Sequence, residues 1–427
     1  MTSAGASGLL DFVWSSPSPF HCVETAASAL LRAGFAEVDE GGPPVGIEPG
    51  QGAFIRRGGS LMAWRAGTDA PAAAGFRILG AHTDSPNLRV KPRPDCGNEG
   101  YRKLGLEIYG GVLLSTWMDR DLGLSGKVML RGEQGGVEGR LFRCDRPIAR
   151  IANLAIHLNR GVNTDGLKLD PQKHMPALLG LGDGPEFRVW LAGELGLPPE
   201  QLLSWELGLH DLQQPTLGGI HQEFVFSPRM DNQFCSYTAL MALIAAEPGR
   251  ATQVLALFDH EEIGSRTYRG ASGPWLRDVL SRLVRDHAER APGGLERAVT
   301  HSLMVSGDMA HGVHPNYADL HEPLHKPRLN GGPVLKSHAE HRYATEAESA
   351  AFFRVVCADI GVPCQDFVTR TDLACGSTIG PISAAELGIR TVDIGCAQLS
   401  MHSVREQAGA DDVAMLSAAM RRALETA

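Results

Sequence analysis

Four short apolar runs constrain this chain more than anything else in its 427 residues: Phe76–Gly80 (FRILG), Gln253–Phe258 (QVLALF), Ser302–Val305 (SLMV) and Arg390–Ile394 (RTVDI). Runs of this length, with turn signals around them, read as buried strands rather than helices. Helical patterns alternate with them. Ser18–Gly34 puts Phe20, Val23, Ala27, Leu30 and Leu31 at helical spacing, and Arg229–Ala246 does the same with Phe234, Tyr237, Leu240, Met241 and Ile244. Strands alternating with helices predict an α/β fold whose mostly parallel sheet is covered on both faces.

The middle of the chain reads differently. Tyr101–Pro147 consists of short, Gly-broken, alternating segments (KLGLEIYGG, SGKVMLRG, VEGRLFRC), the pattern of antiparallel β. We therefore expect a β-rich domain over residues 92–215, inserted into an α/β domain made of residues 1–91 and 216–427. Two Gly/Pro-rich stretches, Gly41–Gly52 and Lys91–Gly100, read as loops or boundaries.

Composition narrows the functional classes. The formal net charge is −9 and no basic stripe is visible, which argues against a nucleic-acid partner. No stretch approaches the roughly 20 apolar residues of a membrane span. Met1–Leu10 lacks the basic and apolar regions of a secretory signal, so a cytoplasmic protein is expected. The eight cysteines include no C-x-x-C pair, and reduced thiols are the expectation.

The chemistry sits where the apolar runs end. FRILG leads into His82-Thr83-Asp84, QVLALF into Asp259-His260-Glu261-Glu262, SLMV into Ser306-Gly307-Asp308, and VDIGCAQLS into Met401-His402-Ser403. Asp231 stands at the opening of a helix. Open α/β sheets bind ligands beyond the carboxyl ends of their strands, so these groups can converge on one crevice. Imidazole nitrogen and carboxylate oxygen are zinc donors. Two zincs need a bridging carboxylate, for which Asp231 is the candidate. His82 and Asp308 would complete one ion, and Glu262 and His402 the other. Glu261 should point away from its neighbour and act as general base. Asp84, two residues past His82, should orient a ligating histidine. A lone Asp or His after a strand is usually a loop residue; the coincidence of all four ends favours the metal reading. No G-x-S-x-G frame and no phosphate loop is present.

The motifs AHTDSP (Ala81–Pro86), TWMDRDL (Thr116–Leu122), AIHLNR (Ala155–Arg160), SPRMDN (Ser227–Asn232), DHEEIGS (Asp259–Ser265), DMAHGVHPNY (Asp308–Tyr317), CGSTIGP (Cys375–Pro381) and MHSVRE (Met401–Glu406) resemble those of the aspartyl aminopeptidases, the M18 family of metallopeptidases. The resemblance spans essentially the whole chain in the right order. Gly307 and Gly312 stand where bulkier small residues are expected, and Ala397 where proline is expected.

The resemblance implies an M18-type metallopeptidase domain with an inserted dimerisation domain, dimers assembling into a dodecamer, and peptide substrates with an N-terminal Asp or Glu. It implies two zinc ions, one of which can give way to manganese or cobalt, and it supports the ligand set above. It also implies that His157 reaches a neighbouring subunit's active site, as a contact to substrate or as a metal ligand. If the segment around His157 is helical, Ile151, Leu154, Ala155 and Leu158 form its apolar stripe. Lys336 in GPVLKS is the leading candidate for recognising an acidic side chain, against the alternative of a solvated surface lysine. His311 and Tyr343 are candidates for polarising the scissile carbonyl. Two rivals remain: a di-zinc carboxypeptidase or deacylase, and a catalytically silent assembly scaffold.

Overall fold

Every residue of the run Thr252–Phe258 is buried, and its neighbours explain why. Leu255 and Leu257 pack into one apolar cluster, whereas Val254, Ala256 and Phe258 pack into another. The strand is therefore covered on both faces, which is what an uninterrupted apolar run in a largely parallel sheet requires.

The structure, a computed structural model, describes residues 2–42, 48–132, 135–287 and 293–426. Part of the predicted Gly41–Gly52 loop, residues 43–47, lies outside them. The described chain divides into two compact units. The first comprises Met1–Asp84, Pro215–Met401 and Glu406–Ala427; the second comprises Ser85–Gln214 and His402–Arg405.

The first unit is built on a nine-stranded sheet. Its strands are β1 (Ala36–Glu37), β2 (Gly52–Arg57), β3 (Ser60–Arg65), β4 (Phe76–His82), β5 (Thr252–Phe258), β6 (Leu303–Gly307), β7 (Val334–Lys336), β8 (Gln365–Phe367) and β9 (Arg390–Gly395). They lie in the order β1-β2-β3-β5-β4-β6-β9-β7-β8. The central pairs β5–β4, β4–β6 and β6–β9 are parallel, while β3 pairs antiparallel with β2 and β5, and β7 pairs antiparallel with β9 but parallel with β8. The fold is α/β with a mixed, largely parallel sheet. Register aligns the carboxyl ends: Phe258 lies opposite His82, and Ser306 opposite Gly80. One edge of the sheet thus presents His82, Asp259 and Asp308 together.

Helices cover both faces. Leu30, Phe234, Leu240, Phe353 and Leu416 join Leu79, Leu255 and Val392 on one side. Trp275, Leu280, Ala298 and Ile379 join Ile78, Val254 and Met304 on the other. The predicted Ser18–Gly34 helix is observed as α1, Pro19–Arg32, capped by Ser18 and opened by a proline at its first turn. Phe20, Val23, Ala27 and Leu30 are buried as expected, but Leu31 is exposed. The predicted Arg229–Ala246 helix is α2, Met230–Ala245.

The second unit has a single six-stranded sheet, ordered Val137–Ala149, Leu122–Arg131, Leu202–Asp211, Asn87–Asn98, Tyr101–Tyr109 and Ala177–Leu181. Every pairing in it is antiparallel. Helix α3, Phe187–Leu195, buries Phe187 and Leu191 against Leu88, Leu104 and Leu207. Two expectations need correction. Lys91–Gly100 is not a loop: Asn87–Asn98 is one strand whose register shifts between Val90 and Asp95. Pro92 and Pro94 fall in that irregularity, where a missing N–H donor is tolerated. Nor is Ala155–Arg160 an amphipathic helix. Only Ile156–Leu158 forms a 3₁₀ turn, and of the anticipated stripe Ile151 is buried while Leu154 and Leu158 are 60% and 75% exposed.

Candidate metal centre

His82 is the last residue of β4 and is fully buried. Its ring is fixed from one side by the backbone carbonyl of Asp84, 3.0 Å from Nδ1, and by the Asp84 carboxylate at 3.4 Å. Ser236 on α2 donates to the His82 carbonyl at 2.7 Å. Nδ1 is thereby committed to donation, and the lone pair lies on Nε2.

Around that Nε2 the carboxylates gather. Asp231 Oδ1 is 3.4 Å away, Asp308 Oδ2 3.5 Å and Glu261 Oε2 3.8 Å. These separations are longer than a good N–H···O hydrogen bond. They match a different geometry: donors about 2 Å from a tetrahedral zinc stand roughly 3.3 Å from one another. His82, Asp231 and Asp308 offer donor atoms all within 4.8 Å of each other, and so do His82, Glu261 and Glu262. Nitrogen and carboxylate oxygen in this arrangement fit zinc.

The local backbone shows how the sequence achieves this. Asp231 sits at the start of α2, where the chain is not helical (φ −82°, ψ 101°) and a cis peptide joins it to Asn232. Its own N–H donates to Glu406 at 3.0 Å, and Asn232 Nδ2 donates to the Gly307 carbonyl at 2.8 Å. Asp308 follows β6 and its N–H reaches the Ile394 carbonyl on β9 at 2.8 Å. The two glutamates lie in a 3₁₀ turn, Glu261–Ile263, entered from His260 in the left-handed region (φ 68°) and left through Gly264 (φ 93°). The Asp84 carboxylate binds this turn end-on, accepting from Glu261 N and Glu262 N at 3.1 Å each. Asp84 therefore grips the glutamate turn as well as facing His82.

The turn also corrects an expectation. Adjacent side chains diverge on an extended strand, but the tight turn swings both glutamates toward His82. Electrostatics follow from this crowding. Burial drives the Glu261 carboxyl up to about 8, against the pull of His82 and with Asp308, Asp84 and Asp231 adding to it. Burial, then Asp231, pushes Glu262 well above its usual range. Burial opposes charge on His82, yet Glu261, Asp231, Asp308 and Asp84 outweigh it and raise the imidazole well above its usual value. Such a concentration of buried carboxylates is stable only beside cations.

The remaining predicted residues fall in several places. Lys336 ends β7 and is 1% exposed, so it is not a solvated surface lysine. Its Nζ donates to Asp308 Oδ1 at 3.0 Å and to the Met309 carbonyl at 3.2 Å. Tyr343 is buried, with its ring centroid 5.0 Å from Lys336 Nζ and 6.4 Å from that of Phe367. Burial, helped by Cys375, raises its hydroxyl above the ordinary range. His311 is exposed, edge-on to Phe367, and lines a cleft of about 330 Å³. A larger cleft of about 920 Å³ shares Arg370 and Cys375 with it.

His157 and His402 belong to the second unit. His157 is exposed on the 3₁₀ turn. His402 is held by its backbone carbonyl, which accepts from Leu113 N at 3.2 Å, and by Nδ1, 2.9 Å from the Gly111 carbonyl. That contact again leaves Nε2 as the nitrogen with a lone pair. Downstream, Val404 N donates to Thr116 at 2.9 Å, and Arg405 donates to the carbonyls of Gln213 and Gln214 at 3.0 and 2.8 Å.

Sequence reasoning overlooked Glu406 and Ser236, which hold Asp231 and His82 through the backbone. Glu406 closes the MHSVRE motif, so its signal was present. Ser236 lies mid-helix and carries none. The glycines at 307 and 312 have a local cause. A Cβ at Gly307 would stand 2.7 Å from Met420 Cε, and one at Gly312 2.9 Å from Leu329 Cδ1.

A family model described as aminopeptidase I zinc metalloprotease (M18) matches residues 12–422. The chain is 46% identical over 429 residues to a probable M18 family aminopeptidase 2 of Streptomyces avermitilis, covering 98% of this chain and 96% of that one. It is 45% identical over 416 residues to a protein of the same description from Pseudomonas aeruginosa, covering 96% and 95%. Among solved structures, the cryo-EM structure of the Ape4 and Nbr1 complex superposes with a TM-score of 0.94 at 36% identity, covering 99% of this chain and 86% of that one. The S. cerevisiae mApe1 dodecamer superposes with a TM-score of 0.85 at 28% identity, covering 98% and 95%. The chain belongs to the M18 family of zinc aminopeptidases.

Proposed function

We propose that this aminopeptidase holds two zinc ions and removes Asp or Glu from peptides with a free α-amine. The observation that carries the reading is His82 Nε2 standing 3.4 Å from Asp231 and 3.5 Å from Asp308. Asp231 would serve both ions, His82 and Asp308 would hold one, and Glu262 and His402 would hold the other. Charge supports the reading. Asp84, Asp231, Glu261, Glu262 and Asp308 crowd carboxyl groups around His82, and Lys336 pairs with Asp308 alone, so divalent cations would relieve the crowding. Manganese, which suits carboxylate oxygen, or cobalt would take the place of zinc at one position.

Zinc held there would polarise the scissile carbonyl and acidify water. The protein's own groups do the rest. Glu261, 3.8 Å from His82 Nε2 and held by Asp84 through its N–H, takes a proton from the attacking water and returns it to the leaving amine. Asp84 keeps both the His82 ring and the glutamate turn in place. The smaller cleft takes the acidic side chain. Its walls carry His311, His314, His321 and Arg370 against one acid, Glu322, which is itself 2.5 Å from His325. Arg370, which also pairs with Asp372, is the standing cation of that wall, and the imidazoles add hydrogen-bond donors suited to a carboxylate.

The protein acts as a homo-oligomer, a dodecamer built from dimers, in the cytoplasm. The exposed apolar turn around His157, with Leu154, Ile156 and Leu158, supports docking against a second copy, which would bring His157 to a neighbouring substrate. The cysteines among the described residues are free, which suits a reducing compartment. Among the described residues no helix is long and apolar enough to cross a membrane.

Initial rates on peptides beginning with Asp, Glu, Ala and Leu, each free and N-acetylated, test the reading. Free acidic peptides should be cleaved fastest and every acetylated one spared. Cleavage of acetylated peptides would support a carboxypeptidase or deacylase instead, and no cleavage by zinc-loaded protein would support a scaffold.

A further inference from the structure

Asp393 is a fully buried carboxylate for which the metal reading has no use. It lies near the end of β9, and its two oxygens serve two different segments. Oδ2 accepts from Ala344 N at 2.6 Å, and Oδ1 accepts from the Thr378 hydroxyl at 2.8 Å. The backbone of Asp393 is tied as well: its N–H donates to Thr345 Oγ1 at 2.9 Å. Thr378 in turn caps the helix Ile379–Leu387, accepting from Gly380 N at 3.2 Å, and a Cβ at Gly380 would collide with the Asp393 carboxylate. Burial pushes the Asp393 carboxyl above its ordinary range, while the Lys336 ammonium and the Ala344 and Thr378 hydrogen bonds work against that. A group this costly to bury holds its place only where each oxygen has a donor.

Tyr343 is what the two tied segments share. Ala344 follows it in the chain, and its hydroxyl meets the thiol of Cys375, three residues before Thr378. The ring centroid lies 5.0 Å from Lys336 Nζ, which is itself 3.0 Å from Asp308 Oδ1. A short chain of contacts therefore runs from Asp393 through Tyr343 to the candidate metal centre. Thr345 and Cys375 also line the 920 Å³ cleft.

We propose that Asp393 is a positioning residue for the peptidase reaction: by holding Ala344 and Thr378 at once, it fixes the aim of the Tyr343 hydroxyl at the scissile carbonyl. This rests on the reading in which Tyr343 polarises that carbonyl beside bound zinc. The Ala344 contact fixes the base of the ring, and the Thr378 contact fixes the wall that the hydroxyl meets. If either relaxes, the hydroxyl shifts, and a misplacement of that kind costs rate rather than metal.

Zinc-loaded wild type, Asp393→Ala, Asp393→Asn, Tyr343→Phe and the double variant Asp393→Asn with Tyr343→Phe test this, assayed for kcat and KM on free peptides beginning with Asp or Ala. Asp393→Ala should lower kcat by about 10²-fold on both peptides, with KM and zinc content near the wild-type values. Asp393→Asn keeps one acceptor and turns the other atom into a donor, so about a tenfold loss is expected, the scale of one hydrogen bond. The double variant should be no slower than the slower of its two parents, because without the hydroxyl nothing is left to aim. If Asp393→Ala does not fold, as judged by its thermal transition, Asp393→Asn and the double variant carry the comparison. A folded Asp393 variant with wild-type kcat, or a double variant whose losses multiply, would make Asp393 a structural group only and overturn the proposal. Tyr343→Phe with undiminished kcat would overturn it too, while leaving the zinc reading intact. A wild type that binds no zinc would sink the metal reading and this inference together.

Discussion

The two units of this chain solve the problem of a buried sheet in opposite ways. The first covers both faces of its nine strands with helices, so β4, β5 and β6 are buried almost throughout and end abruptly in polar residues. The second is entirely antiparallel and leaves apolar side chains such as Leu154, Leu158 and Leu181 in the open. In the first unit, hydrophobic burial fixes strand positions tightly enough to bring five carboxylates and a histidine together. In the second, apolar groups on turns and strands stay exposed, although the first unit too exposes Ile220 and Leu324. The candidate metal ligands His82, Asp231 and Asp308 sit on the unit whose sheet is covered on both faces.

Substitutions can break that contrast. The largest expected effect is at the chemistry itself: Glu261→Gln should lower kcat by about 10²- to 10⁴-fold while zinc content, measured by elemental analysis, stays at the wild-type value. Undiminished turnover would remove Glu261 as the base. Chelation comes next. If zinc is present at a thousandfold over its Kd, stripping it should cost about 4 kcal/mol. Hydrogen exchange should then quicken at Glu261–Ile263 and around Asp308, with the strands of the antiparallel unit unaffected.

Leu255→Ala, in the middle of β5, should destabilise by about 2–5 kcal/mol in a denaturant titration. Leu158→Ala should change monomer stability by less than about 0.5 kcal/mol and instead shift the oligomer distribution seen by light scattering. Equal stability costs at the two leucines would erase the contrast. Leu31→Lys, on the exposed side of α1, should be the smallest effect, within about 0.5 kcal/mol.

Much of this contrast was legible in the sequence. The short, largely apolar runs read as buried strands, and the residues at their ends were chemically suited to zinc. Register then did what sequence could not: pairing Phe258 with His82 put distant segments on one edge. Where reading failed, the causes are local. The glutamate pair was judged by strand geometry, but His260 at positive φ starts a turn that swings both side chains inward. Lys336 carried no sign of burial, because a lysine's partner is decided by tertiary contacts. Pro92 and Pro94 suggested a loop, and the bulged register absorbed them within a strand. The apolar spacing around His157 showed that those side chains need cover. It did not show that Leu154 and Leu158 stay uncovered within their own unit.

The account stands on the claim that the edge formed by β4, β6 and the start of α2 is a zinc shell. Anomalous diffraction at the zinc edge, from crystals of the freshly purified protein, addresses that claim most directly. A strong peak about 2 Å from His82 Nε2, Asp231 Oδ1 and Asp308 Oδ2, with a second sharing Asp231, is the predicted result. The contradicting one is a well-ordered site with those side chains in place and no anomalous density between them.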